Sequence, residues 1–126
     1  MRSVGAVISP ADKPGLLVTG HNGAPEGLPH CLDAGCIEEE HDGNVRCARS
    51  IHAEANALMH CARHGQKTAG ATLYSTCRPC RDCTELIIRA GIRRVVHIGD
   101  VAEPAIADRL KQANAELVHV TWVNLA

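Results

Sequence analysis

The sequence predicts an α/β domain: a mixed five-stranded sheet with helices on both faces. Three observations carry that prediction. Strand-like and helix-like runs follow one another in the order ββαβαβαβ. The helix–strand alternation over the last two-thirds implies parallel crossovers, which cover both faces of a sheet. The chain has 126 residues, 45% hydrophobic and 21% charged, enough for one core and too few for two, so 1–126 is read as a single domain.

The elements follow in order. Val4-Gly-Ala-Val-Ile-Ser9 reads as a buried strand, Pro10-Ala-Asp-Lys-Pro-Gly15 as a turn, and Leu16-Leu-Val-Thr19 as a second strand. Gly20-His-Asn-Gly-Ala-Pro-Glu-Gly27 is a glycine-rich loop, and a polar loop with Cys31, Cys36, His41 and Cys47 continues to about residue 49. A loop that long in a compact domain is usually functional or held by something. His52 to Arg63 is rich in Ala, Leu, Met and Glu and reads as a helix stopped by Gly65. Ala71 to Thr76 is a strand; Pro79 then introduces a helix over Cys80 to Ala90, with Gly91 as its stop. Arg94 to Ile98 is a strand, Pro104 to Ala113 a helix and Leu117 to Val123 the last strand.

Composition narrows the function. No apolar run approaches the roughly 20 residues of a membrane span. Met1-Arg2-Ser3-Val4 opens directly on a strand-like run, with no room for a secretory signal, so the expected location is cytoplasmic. Seven Cys is an odd number, which fits reduced thiols, some of them on metal, better than a disulfide framework; eight His add nitrogen ligands. With no Phe, one Tyr and one Trp, the core must be built from Val, Ile, Leu and Ala. The net charge of −1 excludes a strongly basic nucleic-acid footprint for the whole chain. Glu26, Asp33, Glu38, Glu39, Glu40 and Asp42 form an acidic stretch, whereas residues 46–94 carry nine basic residues against Glu54, Asp82 and Glu85. That asymmetry means either two solvated faces or a mildly positive pocket suited to one phosphate.

Two short segments carry chemistry. His52-Ala53-Glu54 and Pro79-Cys80-Arg81-Asp82-Cys83 each open a helix. Cysteines three apart on a helix share one face, and the positive end of a helix favours the thiolates of Cys80 and Cys83. With His52 they make a three-ligand zinc site, the pattern of catalytic rather than structural zinc. Glu54 beside it is a carboxylate that a hydrolytic zinc needs for moving protons and a structural zinc does not.

The paired segments match the signature of zinc-dependent nucleobase deaminases. Val4-Gly-Ala-Val-Ile8, the loop Gly20 to Gly27, Leu28 to Cys36, Arg46-Cys-Ala-Arg-Ser-Ile-His-Ala-Glu-Ala-Asn-Ala57 and Gly70-Ala-Thr-Leu-Tyr74 together resemble the deoxycytidylate (dCMP) deaminases, in particular the bacterial late-competence-protein branch. The resemblance runs from residue 4 to about 98. It implies the three-layer cytidine-deaminase-like fold, with zinc on His52, Cys80 and Cys83. It also implies hydrolysis of dCMP to dUMP and ammonia: zinc-bound hydroxide attacks C4 while Glu54 carries protons to N3 and to the leaving amine. The Ala53 N–H is expected at the base carbonyl, the Arg78 carbonyl at the exocyclic amine and Asn22 at the sugar. Arg46 and Arg49 are candidates for the phosphate, with solvated surface arginines as the alternative. Some members of the family respond to dCTP and dTTP through the glycine-rich loop, and the same effectors are carried over as expectations.

The resemblance also suggests a second, structural zinc on Cys31, Cys36, Cys47 and His41, with free thiols as the alternative. Cys61, His60 and His64 read as ordinary helix-face residues. The chain departs from the family in five places: no helix precedes the first strand, His21 replaces a Tyr, Cys77-Arg78 replace Leu-Ser, His97 replaces a Tyr, and Ile98 to Ala102 has no aromatic residue. These changes leave the zinc chemistry intact and bear on substrate and regulation. A sheet face left without that helix favours a homo-oligomer. The competing readings are a deaminase of another small substrate (cytidine, guanine) and a non-catalytic zinc-stabilised nucleotide-binding module. A polynucleotide substrate fits poorly with the near-neutral charge and missing aromatics.

Overall fold

The computed structural model describes residues 3–23, 38–41, 44–47 and 51–121, with only the backbone described at 38–41 and 44–47. Its main sheet has five strands: β1 (Gly5–Ser9), β2 (Val18–His21), β5 (Thr72–Ser75), β6 (Arg94–His97) and β7 (Glu116–His119), in the spatial order β2-β1-β5-β6-β7. β1 runs antiparallel to both β2 and β5, while β5, β6 and β7 are parallel. The helices are α1 (Ala53–Arg63), α2 (Arg81–Arg89) and α3 (Pro104–Gln112). The expected mixed five-stranded α/β architecture is therefore present. Among the described residues no helix is long and apolar enough to cross a membrane.

The three described helices share one face of the sheet. α1 packs against α2 and α2 against α3, which helices on opposite sides of a sheet cannot do. The Arg109–Glu85 ion pair, 2.8 Å, joins α3 to α2. The reason is direction. β5, β6 and β7 advance the same way across the sheet, so right-handed crossovers put α2 and α3 on the same side. One core results, with Ile8, Leu73 and Val95 from the sheet and Ala57, Leu58, Ile87, Ile106 and Leu110 from the helices. The opposite face carries Val7, Tyr74, Val96 and Val118, and Tyr74 is 41% exposed.

Three further boundaries differ from expectation. The second strand begins two residues later than read, at Val18, because Leu16 N–H still bonds to the Lys13 carbonyl (3.1 Å) and so belongs to the turn. Leu17 is accordingly 60% exposed. Gly20 and His21, read as loop, complete that strand. The polar stretch before α1 contains a separate antiparallel hairpin, β3 (Glu38–His41) with β4 (Asn44–Cys47). It lacks an apolar alternation, and the Asp42-Gly43 dipeptide joining its strands is its only sequence signal. The last strand ends at His119, and Trp122 and Val123 lie outside the described residues. The glycine stops do hold: Gly65 and Gly91 follow α1 and α2 at φ +67° and +76°, where other residues are strained.

His97, on the helix-covered face of β6, is 1% exposed and stacks on His119 with ring centroids 4.8 Å apart. Its Nδ1–H donates to the Ile98 carbonyl (3.1 Å), and Nε2 has no partner. Burial first, then the charges of His119 and Arg78, hold its pKa below the usual 6.5. The folded chain therefore keeps this ring neutral while the unfolded chain protonates it, so stability falls as pH drops through 6.5 toward the lowered folded value. Denaturant unfolding between about pH 7.5 and 5.5 checks this: His97→Phe is expected to lose less stability over that interval than the parent chain.

Candidate active site

The C-terminal ends of the parallel strands face the N-termini of α1 and α2, and the chemistry-bearing residues collect there. His52 is the N-cap of α1 at φ −64°, ψ 151°, and makes no side-chain capping bond. Its ring turns instead to α2: Nδ1 lies 3.4 Å from Cys80 Sγ and 3.4 Å from Cys83 Sγ. Cys80 caps α2 and accepts from the Cys83 N–H at 3.4 Å. The ligand atoms of His52, Cys80 and Cys83 all lie within 4.8 Å of one another.

The two thiols and the ring are placed to hold a cation. The Cys83 side chain donates to Cys80, and this bond with the His52 ring brings the Cys80 pKa down to about 4 against the opposing effect of burial. Cys83 is driven the other way by its bond to Cys80, by burial and by the charges of Cys80 and Glu54. Two soft sulfurs beside an imidazole nitrogen are a zinc donor set, and three protein donors is the number typical of catalytic zinc.

Glu54, the second residue of α1, is 4% exposed. Its Oε1 accepts from Ser75 Oγ at 2.9 Å, and the same hydroxyl accepts from the Cys77 N–H at 3.3 Å. Ser75 was not singled out from sequence. The signal was its parity: with Leu73 it faces the helices at the end of β5. Ala53, also expected here, is the first residue of α1 and fully buried.

The other expected residues divide. Asn22 closes β2, its Oδ1 accepting from the Val4 N–H at 2.9 Å. Arg78 lies just before Pro79, and its guanidinium donates to the Val101 carbonyl at 3.1 Å and faces Glu103 at 4.0 Å. Register places Arg46 opposite Glu39 and Cys47 opposite Glu38, at the far end of the hairpin from His41. The side chains of Arg46, Cys47 and His41 lie outside the described residues, as do Arg49, Cys31, Cys36 and the 24–27 part of the glycine-rich loop. His60, Cys61 and His64 are helix-face residues as read: His60 and His64 donate to the Thr19 and His60 carbonyls, and Cys61 is buried, which raises its thiol pKa.

The family model for the cytidine and deoxycytidylate deaminase zinc-binding region matches residues 1–98. This chain belongs to that family. It is 39% identical over 120 residues to ComE operon protein 2 of Bacillus subtilis, covering 94% of this chain and 60% of that protein. It is 44% identical over 87 residues to the deoxycytidylate deaminase of Mycobacterium phage D29, covering 63% of this chain and 66% of the phage protein. The crystal structure of dCMP deaminase from cyanophage S-TIM5, in complex with dCMP and dUMP, superposes with a TM-score of 0.71 at 30% identity, over 93% of this chain and 80% of that one. The chain thus spans 60–66% of the length of the first two deaminase-family relatives.

Proposed function

We propose that this deaminase-family chain hydrolyses the amino group of dCMP, giving dUMP and ammonia. The observation that carries the reading is a buried carboxylate, Glu54, held by Ser75 beside a His–Cys–Cys zinc donor set. Similarity to dCMP deaminases of phage D29 and S-TIM5 supports the substrate.

Zinc, when held by His52, Cys80 and Cys83, supplies the Lewis acidity that makes water nucleophilic near neutral pH. The chain's residues do the rest. The Ser75 hydroxyl fixes one oxygen of Glu54 and so aims the other. Glu54 takes one proton of the attacking water and passes it to N3 of cytosine, then takes the remaining proton from the new C4 hydroxyl and delivers it to the amine as the C4–N bond breaks, leaving the C4 carbonyl of uracil and ammonia. The Ala53 N–H, at the first position of α1, has no acceptor within its own helix and is available to the base carbonyl. The Arg78 carbonyl accepts from the exocyclic amine, and Asn22 meets the sugar. A buried, hydroxyl-oriented carboxylate favours this enzyme over a zinc-stabilised binding module, which has no use for it. The exposure of Tyr74 on the sheet face away from the described helices supports the expected self-association.

Purified protein incubated with dCMP, CMP, deoxycytidine, cytosine and guanine tests the reading. Ammonia release is expected with dCMP foremost, and it is expected to stop when a chelator strips the zinc and return when zinc is restored. Equal rates on deoxycytidine and dCMP would remove the phosphate from recognition. Release from none of the five would leave the binding-module reading standing.

A further inference from the structure

β2 is an edge strand, so every second backbone carbonyl along it points away from β1 with no partner in the sheet. Because Asn22 N–H bonds to the Val4 carbonyl, the outward-pointing residues on β2 are Thr19 and His21. α1 supplies a donor to each from one side of the helix, one turn apart. His60 Nδ1–H reaches the Thr19 carbonyl at 2.7 Å, and Asn56 Nδ2 reaches the His21 carbonyl at 2.6 Å. Asn56 goes further. The same amide nitrogen lies 3.4 Å from the carbonyls of both Gly23 and Ile51. Those two residues are themselves joined by a pair of backbone bonds, Gly23 N–H to Ile51 at 3.0 Å and Ile51 N–H to Gly23 at 2.8 Å.

One half-buried side chain thus touches three carbonyls: the end of β2, the glycine after Asn22, and the residue immediately before His52. Asn56 itself sits two residues after Glu54 on the same helix. We propose that Asn56 is a positioning residue that locks the Gly20–Gly23 end of the nucleotide loop to the helix start carrying His52 and Glu54. It touches no reacting atom. It sets where Asn22 stands relative to the zinc donors, and it acts as a donor through its amide N–H groups. In its substrate arm this inference rests on the proposed reaction; in its structural arm it does not.

Asn56→Asp keeps the side-chain shape and removes the donor, and Asn56→Ala removes both. In zinc-loaded protein, amide hydrogen exchange at Gly23 and Ile51 is expected to speed up by about tenfold or more in either variant, the scale of one lost hydrogen bond, while amides of α2 and β6 exchange as before. Zinc content is expected to stay at the parent value. With dCMP, KM is expected to rise by about tenfold with a smaller change in kcat, because the loss falls on binding geometry and not on proton transfer. Unchanged exchange at Gly23 and Ile51, or an Asp variant that behaves as the parent, overturns the proposal. So does acceleration throughout the chain, since a local lock predicts a local effect. If the parent chain does not deaminate dCMP, the reading of the reaction fails while the exchange result still decides the role of Asn56.

Discussion

Glu54→Gln is expected to lower ammonia release from dCMP by about 10²–10⁴-fold, the usual contribution of a positioned general acid–base group. Gln keeps the size of the side chain and an oxygen that can still accept from Ser75 Oγ, now 2.9 Å from Glu54 Oε1, so the position of the side chain is preserved. What disappears is a group that can take a proton and give it back. Zinc content and unfolding temperature are expected to stay near the parent values, because His52, Cys80 and Cys83 are untouched. Metal analysis, thermal unfolding and an ammonia assay on one preparation check all three. A Gln variant that keeps parent activity would show that protons move by another route, and a variant without zinc would make Glu54 part of the metal site instead.

Gly20→Ala is expected to cost about 1–3 kcal/mol of stability, the range for a side chain forced into a filled space. A methyl group on Gly20 would stand 2.5 Å from the Ala53 carbonyl oxygen and closer still to Ala57 N. Both obstacles are backbone of α1, which cannot turn aside as a flexible side chain could. For a chain of this size the midpoint of thermal unfolding is expected to fall by about 5–10 °C. The damage extends to activity. Ala53 and Glu54 lie on the turn of α1 that the methyl group displaces, so zinc affinity and turnover are expected to fall with stability. A variant as stable and active as the parent would mean that α1 and β2 do not pack this closely.

The zinc donor set was legible in the sequence. Zinc ligation demands particular atoms, and two cysteines three apart at one helix start, with a histidine and a glutamate two apart at another, leave few other uses for that combination. The structure brings His52, Cys80 and Cys83 within 4.8 Å of one another, as that pattern required. The helices were legible too, because Gly65, Gly91 and Pro104 punctuate them by backbone geometry that few other residues supply. The hairpin at 38–47 was not, since Glu38-Glu-Glu-His41 has no apolar period to mark a strand. Gly20 was misread for a related reason: a glycine that ends a pattern and a glycine that admits a helix look the same in one dimension.

The sequence by itself determined the order of the main-sheet strands and their helices, the helix limits and the metal-binding chemistry. All three rest on local rules of backbone geometry and ligand type that hold within a few residues. Only the tertiary structure decided that the three described helices share one face, that Ser75 holds Glu54, and that Asn56 gathers three carbonyls from separate segments. Each of these depends on the direction in which successive strands advance and on which residues a helix meets when it lies against an edge. Distances between segments far apart in the chain are fixed by packing, and no local pattern encodes them.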